Sequence, residues 1–144
     1  MRLFLDTSGL YALEDSSDAW HVSAREFWEE HIRADPRSVV AISTHLVFWE
    51  VVALVQRHLG PLRAYEVGRK LIDSDQISWI GSSDFRIASQ ALLEIRSRRM
   101  PNASFVDHTS FFVMRENGFQ NVFTYDDDFR EAGFVLVPGK NPAV

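Results

Sequence analysis

The chain has 144 residues, 46% hydrophobic and 24% charged, which is the size and mix of one globular domain with a substantial core. It has no cysteine, which excludes a disulfide scaffold, thiol catalysis and cysteine-ligated zinc; it also has no apolar run of the roughly eighteen residues that a membrane span needs. The apolar part of "MRLFLDTSG" is too short for a signal peptide, so a cytoplasmic protein without membrane contact is expected. A net charge of −5 counts against phosphate binding, unless several acids gather around metal ions and the bound cations invert the local field.

In chain order, "RLFL" (Arg2 to Leu5) reads as a buried strand running directly into "DTSG", a turn or helix cap before "TSGLYAL". "HVSAREFWEEHIR" (His21 to Arg33) is amphipathic, with Val22, Phe27 and Trp28 near one side. After the Asp-Pro loop, "VVAIS" (Val39 to Ser43) is a second strand, and Ser43 or Thr44 caps a helix that Gly60 and Pro61 end. A helix from Leu62 to Asp73 is followed by the strand "QISWIG" (Gln76 to Gly81) and by a helix with a Ser-rich cap and a basic end, "SSDFRIASQALLEIRSRR". "FVDHTSFFVMRENG" (Phe105 to Gly118) is another helix, then come the strand "NVFTY", the short helix "DDDFREAG" and the last strand "FVLVPG". Strands alternating with helices predict an α/β layer fold with a mainly parallel sheet, and a ligand crevice beyond the carboxyl ends of its strands. Residues 1–138 form one domain on this reading, with residues 139–144 a loose tail.

The acids fall where that crevice should be. Asp6 directly follows the first strand, Asp126 follows "NVFTY", and Asp107 lies in the first turn of its helix. Glu50 interrupts the helical run "THLVFWEVVALVQ"; its neighbours three and four positions away, Leu46, Val47, Ala53 and Leu54, are all apolar. A buried carboxylate needs a partner, which is either a metal ion or an arginine such as Arg2 or Arg115. Each aspartate also has a structural explanation: Asp6 and Asp126 as helix caps, and Asp107 in the capping box S-x-x-D that starts at Ser104. Asp127 and Asp128 read as solvated. The conjunction of four such acids fits a hard divalent cation, Mg2+ or Mn2+, which can activate water and stabilise charge on a phosphoryl oxygen. Thr7, Ser8 and Ser110 stand close enough in sequence to supply hydroxyl contacts to water or phosphate, Ser110 with back-bonding to its own helix as the alternative.

The ordered set "FLDTSGLYAL", "FWEVVALV" and "SFVDHTSFFVMRENGFQNVFTYDDDFREAGF" closely resembles PIN-domain ribonucleases, most of all the VapC-type toxins of prokaryotic toxin–antitoxin pairs. Its most specific part is S-F-x-D, a hydrophobic helix, then T-x-D-x-x-F with a glycine and a strand close behind. The resemblance implies a three-layer α/β/α sandwich and Mg2+- or Mn2+-dependent cleavage of RNA by Asp6, Glu50, Asp107 and Asp126, with Asp128 an accessory ligand. It further implies a homodimer and a cognate antitoxin protein whose tail enters the acidic groove. Arg96, Arg98 and Arg99 in "IRSRR" are candidates for the RNA backbone, a solvated helix end being the alternative. Trp20, Trp28, Trp49 and Trp79 read as core or interface in preference to base-stacking surfaces.

Other classes fit less well. A haloacid-dehalogenase-type phosphatase needs a second acid two residues after the first, where Ser8 stands, and a phospho-receiver domain needs paired early acids and a late lysine. An RNA-processing PIN nuclease outside toxin–antitoxin systems and a non-catalytic PIN-like RNA-binding module remain as alternatives.

Overall fold

The structure, a computed structural model, describes residues 1–81 and 85–140. Five strands, β1 (Arg2–Leu5), β2 (Val40–Thr44), β3 (Ile77–Ile80), β4 (Asn121–Phe123) and β5 (Val135–Val137), form one sheet in the order β3-β2-β1-β4-β5. Every pairing is parallel, with Phe4 opposite Ile42 on one side and Val122 on the other. Central β1 is covered on both faces, and Leu3, Phe4 and Leu5 are fully buried, as expected of a strand in an all-parallel sheet.

Among the described residues the α-helices are α1 (Thr7–Glu14), α2 (His21–Phe27), α3 (His45–Leu59), α4 (Pro61–Asp73), α5 (Arg86–Ser97), α6 (Phe105–Asn117) and α7 (Asp127–Glu131). Helices α1 to α4 pack on one another, and α5 to α7 form the second group. Right-handed crossovers from this strand order put the groups on opposite faces of the sheet, which gives the expected three-layer sandwich. Strand order reverses between β1 and β4, so the switch point lies where β1 runs into α1 and β4 into α7. There the Asp6 N–H donates to the Phe123 carbonyl over 3.2 Å, one step beyond the last strand pair. Helix α1 comes so close to β4 that a Cβ on Gly9 would stand 2.4 Å from the Phe123 carbonyl oxygen. Only glycine fits this crossing.

Several elements depart from expectation. Helix α2 ends at Phe27 and continues as a π-helical segment, Trp28–Arg33. Phe27 and Ile32 are both buried. Five positions apart, they would lie about 140° apart on an α-helix, and the wider turn brings both to the core. Val22, assigned to the apolar side, is 66% exposed. The expected strand "NVFTY" stops at Phe123, because Thr124 and Tyr125 leave the sheet to build the site below. The serines proposed to cap α5 include Ser82 and Ser83, outside the described residues; at the N-cap position, Phe85 makes no side-chain cap bond. Of the expected tail, Lys140 is paired with Asp127 at 2.6 Å, and residues 141–144 are outside the described residues.

A carboxylate cleft at the switch point

The cleft beyond the ends of β1 and β4 has a volume of about 280 Å3, and its walls include Asp6, Glu50, Asp107 and Asp126. The four expected acids, from distant parts of the chain, thus converge on one opening, and Asp18, which the sequence reading did not single out, lines it as a fifth. The local chemistry of the sequence explains each position. Asp6 is both the residue that leaves β1 and the N-cap of α1, accepting from the Ser8 N–H at 3.4 Å. Asp107 takes part in a reciprocal capping box: its own N–H donates to Ser104 Oγ at 3.0 Å, and its carboxylate accepts from the Ser104 N–H at 2.8 Å. Asp126 caps α7 by accepting from the Asp128 N–H at 2.9 Å. The helix caps therefore hold these carboxylates at the cleft, so capping and lining the cleft are one arrangement.

Glu50 sits differently from expectation. The stripe of α3 that enters the core is Val47, Val51 and Val55; Ala53 is exposed, and Leu46 and Leu54 are only half-buried. Glu50 stands about 100° around the helix from Val51, at the edge of that stripe, and is half-buried. The proposed arginine partners are engaged elsewhere: Arg2 with the Asn117 carbonyl at 2.7 Å, and Arg115 with Glu94 at 3.1 Å. Among the described residues nothing bonds the Glu50 carboxylate, and no lysine or arginine lines the cleft.

The buried floor is a hydroxyl network that the sequence reading left out. Thr124 Oγ1 donates to Asp6 Oδ2 at 2.7 Å and accepts from the Asp126 N–H at 3.1 Å. Ser8 Oγ lies 2.8 Å from Thr124 Oγ1 and accepts from the Tyr125 N–H at 2.9 Å. Ser8 Oγ also donates to Asp6 Oδ2 at 3.2 Å, so both hydroxyls converge on the same carboxylate oxygen and either can donate to the other. The signal was present in the sequence as the T of T-x-D.

The electrostatics match this crowding. Burial pushes Asp6 up to about 7, with the Asp107 charge adding to the rise and the Thr124 hydrogen bond opposing it. Asp107 is also raised, first by burial and then by the charges of Asp126 and Glu50, against the Ser104 hydrogen bonds. Asp128 is raised by burial and by Asp126. Although Asp128 is outside the cleft lining, oxygens of Asp107, Asp126 and Asp128 lie within 4.8 Å of one another.

The remaining candidates separate clearly. Thr7 lines the cleft, and its buried Oγ1 has no hydrogen-bond partner. Ser110, one turn beyond Asp107, is fully buried with an unpartnered Oγ and does not back-bond. Arg96, Arg98 and Arg99 are exposed at the end of α5, away from the cleft lining; Arg99 borders a separate hollow with His108 and Arg115. The acid set suits a divalent cation on two grounds: oxygen donors with no cation among them, and a buried hydroxyl oxygen, Thr7 Oγ1, left without a partner.

Fold and cleft define a doubly wound parallel α/β protein with a carboxylate cleft at the switch point of its sheet. The chain belongs to the PIN-domain family, whose profile matches residues 3–135. It is 35% identical over 135 residues, 94% of this chain and 97% of the relative, to the 23S rRNA-specific endonuclease VapC20 of Mycobacterium tuberculosis. The crystal structure of Mycobacterium tuberculosis VapC20, a sarcin–ricin loop cleaving toxin, matches with a TM-score of 0.80 and 31% identity, covering 92% of this chain and 96% of that one. A Pyrobaculum aerophilum protein, PAE2754, shares the fold at a TM-score of 0.61 and 16% identity, over 96% of this chain and 90% of its own.

Proposed function

We propose that this PIN-domain protein is a divalent-metal-dependent endoribonuclease and the toxin of a toxin–antitoxin pair. The observation that carries the reading is the convergence of Asp6, Glu50, Asp107 and Asp126 on a cleft without a base. These four would hold Mg2+ or Mn2+, with Asp128 accessory through its closeness to Asp107 and Asp126. Bound there, the ion supplies charge stabilisation at the phosphoryl oxygens and lowers the pKa of water. The chain's own residues do the rest. Thr7 Oγ1 binds a water or a phosphate oxygen, and Ser8 and Thr124 hold Asp6 in place. The attacking water gives its proton to Glu50, the cleft acid with solvent access and no other partner among the described residues. The phosphodiester bond then breaks, and the leaving ribose oxygen is protonated from solvent. Ser110, whose buried Oγ has no partner, contacts a water one turn beyond Asp107, and Arg96, Arg98 and Arg99 form an outlying contact to the RNA backbone.

The similarity to a 23S rRNA-specific endonuclease makes ribosomal RNA the first substrate to test. A basic tail of an antitoxin protein complements the acidic cleft, and a cytoplasmic homodimer is the working state. Residues 1–138 are taken as the catalytic domain. The experiment is cleavage mapping on total RNA with Mg2+ or Mn2+. One dominant cut that EDTA abolishes supports the reading, and no cut with either ion contradicts it.

A further inference from the structure

One wall of the cleft has no part in holding a cation. Beside the acids, the lining contains the aromatic side chains of Tyr11, Trp20 and Tyr125. Trp20 and Tyr125 are stacked, with centroids 4.9 Å apart and planes at 8°. The two tyrosine hydroxyls are tied down: Tyr11 donates to Asp15 at 2.6 Å, and Tyr125 pairs with Ser23 at 2.8 Å. Their polar ends are therefore engaged by α2 and the turn before it, while their rings remain part of the wall. Tyr125 is buried, packed against Phe123, whereas Trp20, also in the lining, is only half-buried. The Trp20 N–H donates to Asp18 at 2.8 Å, which fixes the backbone that presents the indole. Both stacked rings pack on the core, but only the indole is left half-buried where it lines the cleft beside the carboxylates.

We propose that Trp20, backed by Tyr125, is a nucleobase subsite: the base next to the cleaved phosphodiester leaves its own stack and lies against the indole. This rests on the ribonuclease reading of the same cleft and deepens it, naming the substrate as RNA unpaired at the cut. Base–aromatic stacking accepts any base, so the subsite selects for an accessible base at one position rather than for its identity. A base held there aligns the neighbouring phosphate with the acids, and a paired base cannot reach it without paying to unstack.

The test uses the full chain with Mn2+ and an RNA hairpin carrying the 23S sarcin–ricin loop. Single abasic nucleotides are placed in turn at each position around the cut. With the wild type, one abasic position raises KM about tenfold, the size expected for loss of one base–aromatic contact. In Trp20→Leu the intact RNA shows the same rise and the abasic substitution adds nothing, while Trp20→Phe restores most of the difference. Thermal melts accompany each variant; should Trp20→Leu fail to fold, Trp20→Phe and Trp20→Tyr carry the comparison through their partial loss. Cleavage whose abasic profile is flat, or is unchanged in the Trp20 variants, overturns the subsite and leaves the nuclease reading standing. Failure of the wild type to cut this hairpin or any other RNA overturns both.

Discussion

The hydroxyl of Thr124 donates to the buried carboxylate of Asp6 over 2.7 Å, tying the residue after β1 to the one after β4. The same oxygen accepts from the Asp126 N–H, so one small side chain holds two of the cleft acids in register. Thr124→Val removes a hydrogen bond to a carboxylate, worth about 1.5 kcal/mol, and lowers Mn2+ affinity about tenfold. Thr124→Ser keeps the hydroxyl and stays within about twofold of the wild type. Calorimetric titration with Mn2+ checks both; equal affinities for the valine variant and the wild type would remove Thr124 from the account.

Metal-free protein should lose stability as pH rises. Asp6 is held at about 7 in the fold against 3.8 when unfolded, so between these values the folded chain binds more protons. Stability from this group is full below about pH 4 and is lost on the way to pH 7, amounting to a few kcal/mol at most. Asp107, also raised, acts in the same direction. Denaturant melts in EDTA at pH 5 and pH 8 should therefore favour pH 5, and Mn2+ should narrow the gap by giving the carboxylates a cation. Ion binding near pH 7 also releases protons, seen as a buffer-dependent binding enthalpy. A pH-independent melt would contradict this burial effect.

Glu50 is half-buried and has no partner among the described residues, so Glu50→Gln should fold as the wild type does, within about 0.5 kcal/mol, while weakening Mn2+ binding. A large fall in melting temperature with metal affinity unchanged would instead mark a structural ion pair.

Gly9 separates α1 from β4. In Gly9→Ala the new methyl group meets the Phe123 carbonyl oxygen at 2.4 Å and must push helix and strand apart. A loss of about 1–3 kcal/mol is expected, with weaker metal binding because Asp6 and Thr124 sit on either side of the displaced contact. A chemical-denaturation curve superimposable on that of the wild type would exclude the close approach.

The places of Asp6 and Asp126 were legible because a parallel α/β chain puts residues after its strands at one edge, and both follow apolar runs directly. Asp107 was legible through Ser104, whose capping box starts α6 at the cleft. The stripe around Glu50 was misjudged because four apolar neighbours at helical spacing do not say which of them meets the sheet. In the fold Val47, Val51 and Val55 do, which turns Glu50 to the flank. Thr124 escaped notice because "NVFTY" reads as one strand, and only the tertiary pairing of β1 with β4 shows that the chain leaves the sheet after Phe123. Trp20 was assigned to core or interface; its stack on Tyr125 joins residues about a hundred positions apart, a relation no local pattern carries. The turn that buries Phe27 and Ile32 together likewise answers to the core and not to helical periodicity.

The most direct test is RNA cleavage by purified protein with Mn2+, comparing the wild type with Asp6→Ala and Asp126→Ala after melts have shown both variants folded. The account predicts a defined cut by the wild type that EDTA abolishes, and a loss of at least about a hundredfold in each variant. Full activity in either folded variant would contradict it.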